Sequence, residues 1–312
     1  IVVFNTPGAN ANAVMELVLA GLFLSSRKVS EGIEWAKSLK GKGDEVGKLV
    51  EKGKSRFVGP EVMGKTLGVI GLGAVGVLVA NAAEKLGMTV LGYDPYLSVN
   101  AAWSVNHNVR HCADINEIYE NSDYITIHVP ANKETTGMLN SDTFALMKDG
   151  VRILNFARGT LVNSDDMVKA LESGKVAKYV VDFPDDTVLG VENVVALPHL
   201  GASTPESEEN CAVMAVGELK NYILNGNIKN SVNFPSINMP RSSACRVTVL
   251  HKNVPNMVSA IASVISENNL NIANMQNASK GAFAYTVLDI DGSCSDALSS
   301  KLSALENVVR VR

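Results

Sequence analysis

The residues best equipped for chemistry stand at the ends of short apolar runs. Gly71, Gly73 and Gly76 form GLGAVG, directly after the apolar LGVI and directly before a stretch that reads as a helix. In such a junction the first glycine makes a tight turn. The second lets a pyrophosphate approach the backbone, and the third lets helix and strand pack closely. The free N–H groups around Ala74 and Val75 then meet the phosphates with the positive end of the helix dipole. Asp94 closes the next apolar run. A carboxylate roughly 20 residues past the glycines accepts hydrogen bonds from a ribose and repels a 2′-phosphate, which favours NAD over NADP. A glycine turn that merely packs a helix on a strand is the alternative, and the acid in register argues against it.

Two further positions carry reactive groups. Arg158, in NFARG, offers a rigid fork for a carboxylate or carbonyl, or else a surface ion pair. His199, in PHLG, ends the last apolar run, and imidazole is the usual group for taking a proton from an alcohol near neutral pH. Among the other histidines, His107 and His111 fall in a polar stretch, and His128 ends a strand where it can line a cleft. Asp182, Asp185 and Asp186 follow the preceding run, and one of them could orient His199 and stabilise its charged form. Lys48, Lys52, Lys54 and Arg56 could draw a phosphorylated substrate, although a solvated face is the simpler reading.

The elements that position these groups follow from the hydrophobic period. Apolar runs at 67–73, 89–94, 124–130, 151–157, 178–183 and 193–198 alternate with helical stretches at 74–87, 114–121, 140–147 and 164–173. That alternation predicts a doubly wound parallel α/β sheet covered on both faces. Residues 1–5 read as a strand. Asn12 is expected to cap a helix running to about residue 28, and 31–56 read as a surface helix and loop. A long helix begins at Ser203 or Thr204, carries Ala212, Ala215, Val216, Leu219, Tyr222 and Ile223 on its apolar face, and stops at Gly226. Residues 227–243, rich in Asn, Ser and Pro, read as a linker. The order βαββαβ over 244–312 is that of a ferredoxin-like split unit.

Composition narrows the possibilities. With 46% hydrophobic residues and a net charge of −4, composition argues against a nucleic-acid role for the whole surface and leaves a local basic patch open. Cys112, Cys211, Cys245 and Cys294 lie far apart without a C-x-x-C pair, so reduced cytosolic thiols are expected, with neither a metal site nor a disulfide framework. No run approaches the roughly 20 apolar residues of a membrane span. A strand at the very first residue, without Met, suggests that the chain begins inside a domain.

Taken together, GLGAVG, Asp94, HVP (128–130), ETTGMLN (134–140), NFARG (155–159) and PHLGAST (198–204) resemble the D-isomer-specific 2-hydroxyacid dehydrogenases. The segment with His251, Asn253, Pro255, Leu270 and Asn271 resembles an ACT domain, an amino-acid-sensing module. The resemblance implies an NAD-dependent oxidation of 3-phosphoglycerate at the start of L-serine synthesis, with hydroxypyruvate or glyoxylate chemistry as the alternative. A non-catalytic NAD- and amino-acid-sensing protein is the rival reading. Arg158 would bind and polarise the substrate, and His199 would be the acid/base. NAD would be contacted by Gly71, Gly73, Ala74, Val75, Gly76, Asp94, Val129, Phe156, Ala157, Arg158, Asp182, His199, Leu200, Gly201 and Ala202. His251, Asn253 and Asn271 would hold an L-serine effector between two paired ACT domains, which implies a homodimer or homotetramer. The domains so implied are 1–12, the end of the first half of a substrate domain, and 13–202, for the dinucleotide. The returning helix of the substrate domain is 203–230, the linker 231–243 and the regulatory domain 244–312. Two departures stand out. The family reads D-V-F-x-x-E-P where this chain has DFPDDTV, one residue shorter and without the Glu, so Asp186 is the candidate for that acid. A preceding small-domain half is also missing, which implies N-terminal truncation.

Overall fold

The structure is a computed structural model that describes every residue from Ile1 to Arg312. It divides into two units, residues 10–208, and residues 1–9 together with 209–312.

The first unit is built on seven parallel strands: β1 (Thr66–Ile70), β2 (Thr89–Tyr93), β3 (Arg110–His111), β4 (Tyr124–Ile127), β5 (Val151–Asn155), β6 (Val176–Val181) and β7 (Val194–Ala196). Their order is β3-β2-β1-β4-β5-β6-β7, doubly wound as expected. The central strands are buried on both faces, which is why they read as continuous apolar runs. On one face Leu67, Val69, Tyr124, Leu154 and Val180 form a core. On the other, Ile70, Ile125, Ile127, Ile153 and Val181 form a second. Eight helices accompany the strands: α1 (Ala11–Ser26), α2 (Val29–Ser38), α3 (Val46–Gly53), α4 (Ala74–Lys85), α5 (Val99–Ser104), α6 (Ile115–Asn121), α7 (Ser141–Leu146) and α8 (Ser164–Glu172). The cap of α1 is Asn10, and Asn12 instead donates to Glu16 within the helix, so the expected cap was two residues late.

The long helix α9 (Pro205–Asn225) starts where Ser207 N–H donates to Thr204 Oγ1, so Thr204 is the cap. Its first turn falls in the first unit and the remainder in the second. The apolar face expected to pack is largely open: Ala212, Val216, Leu219 and Ile223 are exposed.

The second unit carries β8 (Cys245–Lys252), α10 (Met257–Glu267), β9 (Asn271–Lys280), β10 (Phe283–Asp291), α11 (Asp296–Ser303) and β11 (Val308–Val311), the expected βαββαβ order. The sheet is antiparallel, in the order β11-β8-β10-β9. One face packs Leu288 and Ile290 against the helices, through Ile261, Ile265, Leu298 and Leu302. The other face is covered by the segment expected to be a linker. Ile228, Phe234, Ile237 and Met239 are buried against Tyr285 and Val287, so 227–243 is a packed layer. Residues 1–5 do not form a strand: Phe4 makes a single bridge with Ser231. Cys245 and Cys294 form a disulfide, which corrects the expectation of four reduced thiols. Their separation of 49 residues carried no sign of the pairing, which the fold creates by bringing the β10–α11 loop to the start of β8.

A buried ion pair joins the layers. Asp289, fully buried, accepts from Arg246 Nε at 2.6 Å and Nη2 at 2.8 Å. Arg246 also donates to the carbonyls of Asn225, Met239 and Pro240. These bonds hold the Asp289 carboxyl at about 2, below its ordinary 3.8. The stability it contributes is therefore complete above about pH 4 and is lost as the pH falls toward 2. Asp289→Asn leaves Arg246 buried without a counter-charge. It should cost about 3–5 kcal/mol, measured by denaturant unfolding of the full chain, because breaking a buried pair strands the other charge.

Candidate active site

The functional groups gather at the C-terminal edge of the parallel sheet. β1 is followed by Gly71, whose φ of +92° makes the turn. A Cβ on Gly76 would lie 1.9 Å from the Gly71 oxygen, so α4 can begin only with glycine there. At Gly73 a Cβ would meet nothing within 4 Å. The exposed tip of Gly73 and Ala74, with the unpaired N–H groups of the α4 N-terminus, thus faces open space. That is the room a pyrophosphate needs.

Asp94 follows β2 and accepts from the N–H of Leu72 and of Tyr96, both at 2.8 Å. Its carboxylate therefore holds the glycine loop as well as facing the cleft. A cleft of about 550 Å³ is lined by Gly71, Gly73, Asp94, His128, Val129 and Pro130, among others. His128 sits at its wall with Nε2 2.9 Å from Thr126 Oγ1. Burial of the ring pushes its pKa down to about 4, so it stays neutral near pH 7.

Arg158 follows β5. The buried Asn155 side chain donates to the Arg158 carbonyl at 2.9 Å and accepts from the Ala157 N–H, which fixes the turn. Arg158 is exposed, and its Nη1 donates to the Ala157 carbonyl at 2.6 Å. Phe156 is buried in the core against α1, so only its backbone is available to a ligand.

His199 follows β7 with a left-handed φ of +55°. That conformation costs a non-glycine residue about 1–3 kcal/mol and persists only where its surroundings impose it. Asp182 imposes it: the buried carboxylate accepts from Leu200 N–H at 2.8 Å and Gly201 N–H at 2.9 Å. A second cleft, of about 530 Å³, is lined by His199, Ala202, Ser203, Thr204, Pro205 and Glu208.

The expected acid partner of His199 is not in place. Asp186 is exposed, and neither hydrogen bond nor ion pair joins it to His199. Asp185 is occupied by Ser164 Oγ at 2.6 Å. With one residue fewer than the family pattern, the loop after Asp182 keeps these carboxylates turned elsewhere. What touches His199 is Phe183, a residue passed over in the sequence, with ring centroids 4.1 Å apart.

Comparison with known proteins agrees with this edge of the sheet. Residues 19–201 match the D-isomer specific 2-hydroxyacid dehydrogenase, NAD binding domain. The chain belongs to this family. It is an NAD-dependent dehydrogenase, and the glycine loop, the open space at Gly73 and Asp94 fit the cofactor. The D-3-phosphoglycerate dehydrogenase of Dictyostelium discoideum is 30% identical over 99% of this chain and 75% of its own length. That of Escherichia coli (strain K12) is 31% identical over the whole chain and 75% of its own. The structure of the Aquifex aeolicus D-lactate dehydrogenase, complexed with NAD and lactic acid, is similar with a TM-score of 0.62 at 28% identity, covering 76% of this chain and 74% of that one.

The three effector candidates of this dehydrogenase lie in the second unit. His251 is buried, its Nε2 3.0 Å from Thr286 Oγ1. Asn253 donates to the Gly281 carbonyl at one end of β10, and Asn271 donates to Asp291 at the other. Nine strand residues separate the ends, roughly 25–30 Å at the usual rise per residue. One chain alone therefore does not bring them together.

Two outcomes follow. Because His128 is neutral when folded and protonates below about 6.5 when unfolded, it withdraws stability as the pH falls from about 6.5 to 4. His128→Asn should flatten that part of the pH–stability curve. Asp182→Asn replaces an acceptor with a donor facing one of two buried N–H groups. It should cost about 1.5–3 kcal/mol in thermal unfolding and lower kcat far more than it changes NADH affinity.

Proposed function

We propose that this dehydrogenase oxidises 3-phosphoglycerate to 3-phosphohydroxypyruvate, the first step toward L-serine, under control by serine. The observation that carries this reading is the extent of the likeness. The relatives named for 3-phosphoglycerate match essentially the full chain, including the four-stranded unit, whereas the D-lactate dehydrogenase structure covers three quarters of it.

When bound, NAD accepts the hydride. The chain supplies position and charge. His199, exposed beyond β7 on a backbone that Asp182 holds, takes the hydroxyl proton of the substrate. Arg158 holds the substrate carboxylate and the carbonyl that forms. Asp182 keeps the His199 loop in register, and Asp94 selects NAD by repelling a 2′-phosphate.

The regulatory reading requires two copies. β9 is an edge strand, and Asn253 and Asn271 sit at opposite ends of the sheet. Antiparallel pairing of β9 with β9 of a second copy would bring Asn271 of one toward His251 and Asn253 of the other, forming a serine site across the dyad. Asn offers both donor and acceptor to a zwitterion. A homodimer or homotetramer is the assembly this implies.

The lack of a carboxylate on His199 favours a second reading, a protein that binds NADH and senses amino acids without turnover. The deciding assay is NADH oxidation by the full chain with 3-phosphohydroxypyruvate, hydroxypyruvate and glyoxylate, with and without L-serine. Fastest turnover of the phosphorylated acid, suppressed by serine, is expected. His199→Ala should lower kcat by about 100-fold or more, the usual worth of an acid/base group, and leave NADH affinity nearly unchanged. NADH binding with no turnover of any of the three would overturn the enzymatic reading.

A further inference from the structure

Phe183 occupies a place that the roles of Arg158 and His199 leave unexplained. It directly follows Asp182, whose carboxylate fixes the backbone just beyond His199. Its own carbonyl is pressed against the neighbouring loop: a Cβ on Gly159 would lie 2.7 Å from the Phe183 oxygen. Phe183 is thereby wedged between the loop that carries Arg158 and the loop that carries His199. Its half-buried ring touches both side chains. The His199 ring lies 4.1 Å away, tilted by 43°, and Arg158 Cζ stands 5.3 Å from the ring centroid.

Nothing else orients the working ends of these side chains. Neither His199 nitrogen has a hydrogen-bond partner, and no carboxylate pairs with it. Arg158 reaches only the carbonyl of the residue before it. We infer that Phe183 is the positioning residue of this active site, holding His199 and Arg158 at working separation by ring contact where a carboxylate partner of the histidine is missing. The inference rests on the reading that these two residues perform the chemistry. It also has a physical extension. When His199 takes a proton, the imidazolium gains a favourable contact with the electron-rich face of the ring. A carboxylate would supply full charge at that step, and the ring supplies part of that stabilisation together with the orientation.

The test compares Phe183→Leu, which keeps apolar bulk and removes the ring, with Phe183→Tyr, which keeps the ring. Steady-state kinetics with 3-phosphohydroxypyruvate are read with NADH and with NADH deuterated at the transferred position. NADH affinity is read by fluorescence. The Leu variant should lose about 10- to 100-fold in kcat, the scale of a small misplacement of a catalytic group, with NADH affinity kept and a larger isotope effect. The Tyr variant should recover most of that loss. A Leu variant with the kcat and isotope effect of the parent overturns the inference. So does an equal loss in both variants with an unchanged isotope effect, which would mean mere packing. A readout independent of turnover is the NMR shift of the His199 Cε1–H, identified by its absence in His199→Gln. It should move toward the free-histidine position in Phe183→Leu and stay in Phe183→Tyr. An unmoved signal in the Leu variant also overturns the inference. A parent protein that binds NADH and turns over no 2-oxoacid, yet shows this shift, would sink the enzymatic reading and leave the positioning contact standing.

Discussion

The buried carboxylate of Asp182 accepts the N–H groups of Leu200 and Gly201, and through them decides where His199 can stand. A left-handed histidine at the end of a three-residue strand has no reason of its own to be there. The two bonds are charge-assisted and shielded from water, so they outweigh the local backbone cost. They also tie the edge strand β7 to β6 beyond the last ladder bond. The neighbouring parts of the site adjoin this tie: Phe183 follows it in sequence, and Gly159 admits Phe183 to the loop of Arg158.

Two histidines at the same sheet edge show how environment divides one residue type into two kinds of group. His128 is desolvated against the cleft wall and bonded to Thr126, and burial keeps it neutral. His199 stands in the open, and its ring has no hydrogen-bond partner. Asp94 and Asp182 are divided in the same way. Both accept two backbone N–H groups, yet one does so at the rim of the cleft beside the glycine loop and the other beneath the loop of His199.

Much of this was legible because steric rules leave few choices. Gly71 and Gly76 could be assigned by role from their spacing, since a turn and a close backbone approach each demand glycine, and the strands announced themselves by being apolar on both faces. The two-residue β3 and the six-residue α5 were too short to leave a period. The apolar face of α9 was read correctly as a stripe, but a stripe does not say whether anything covers it. Asp186 was drawn toward His199 by analogy of sequence position, and the shorter loop defeats that analogy. Phe183 was invisible because its meaning lies in the contact of two loops from distant parts of the chain. The Asn, Ser and Pro residues of 227–243 signal a linker, and its four apolar residues are too few to signal the layer they form.

That last segment changes what can be regarded as a module. Ile228, Phe234, Ile237 and Met239 form the floor beneath Tyr285 and Val287, and Arg246 donates to the carbonyls of Met239 and Pro240 as well as to Asp289 of its own sheet. A cut at residue 243 would strip the sheet of one whole face and uncover the Arg246–Asp289 pair. The piece that would keep its fold if moved is therefore the four-stranded sheet and its helices together with the polypeptide that leads into them.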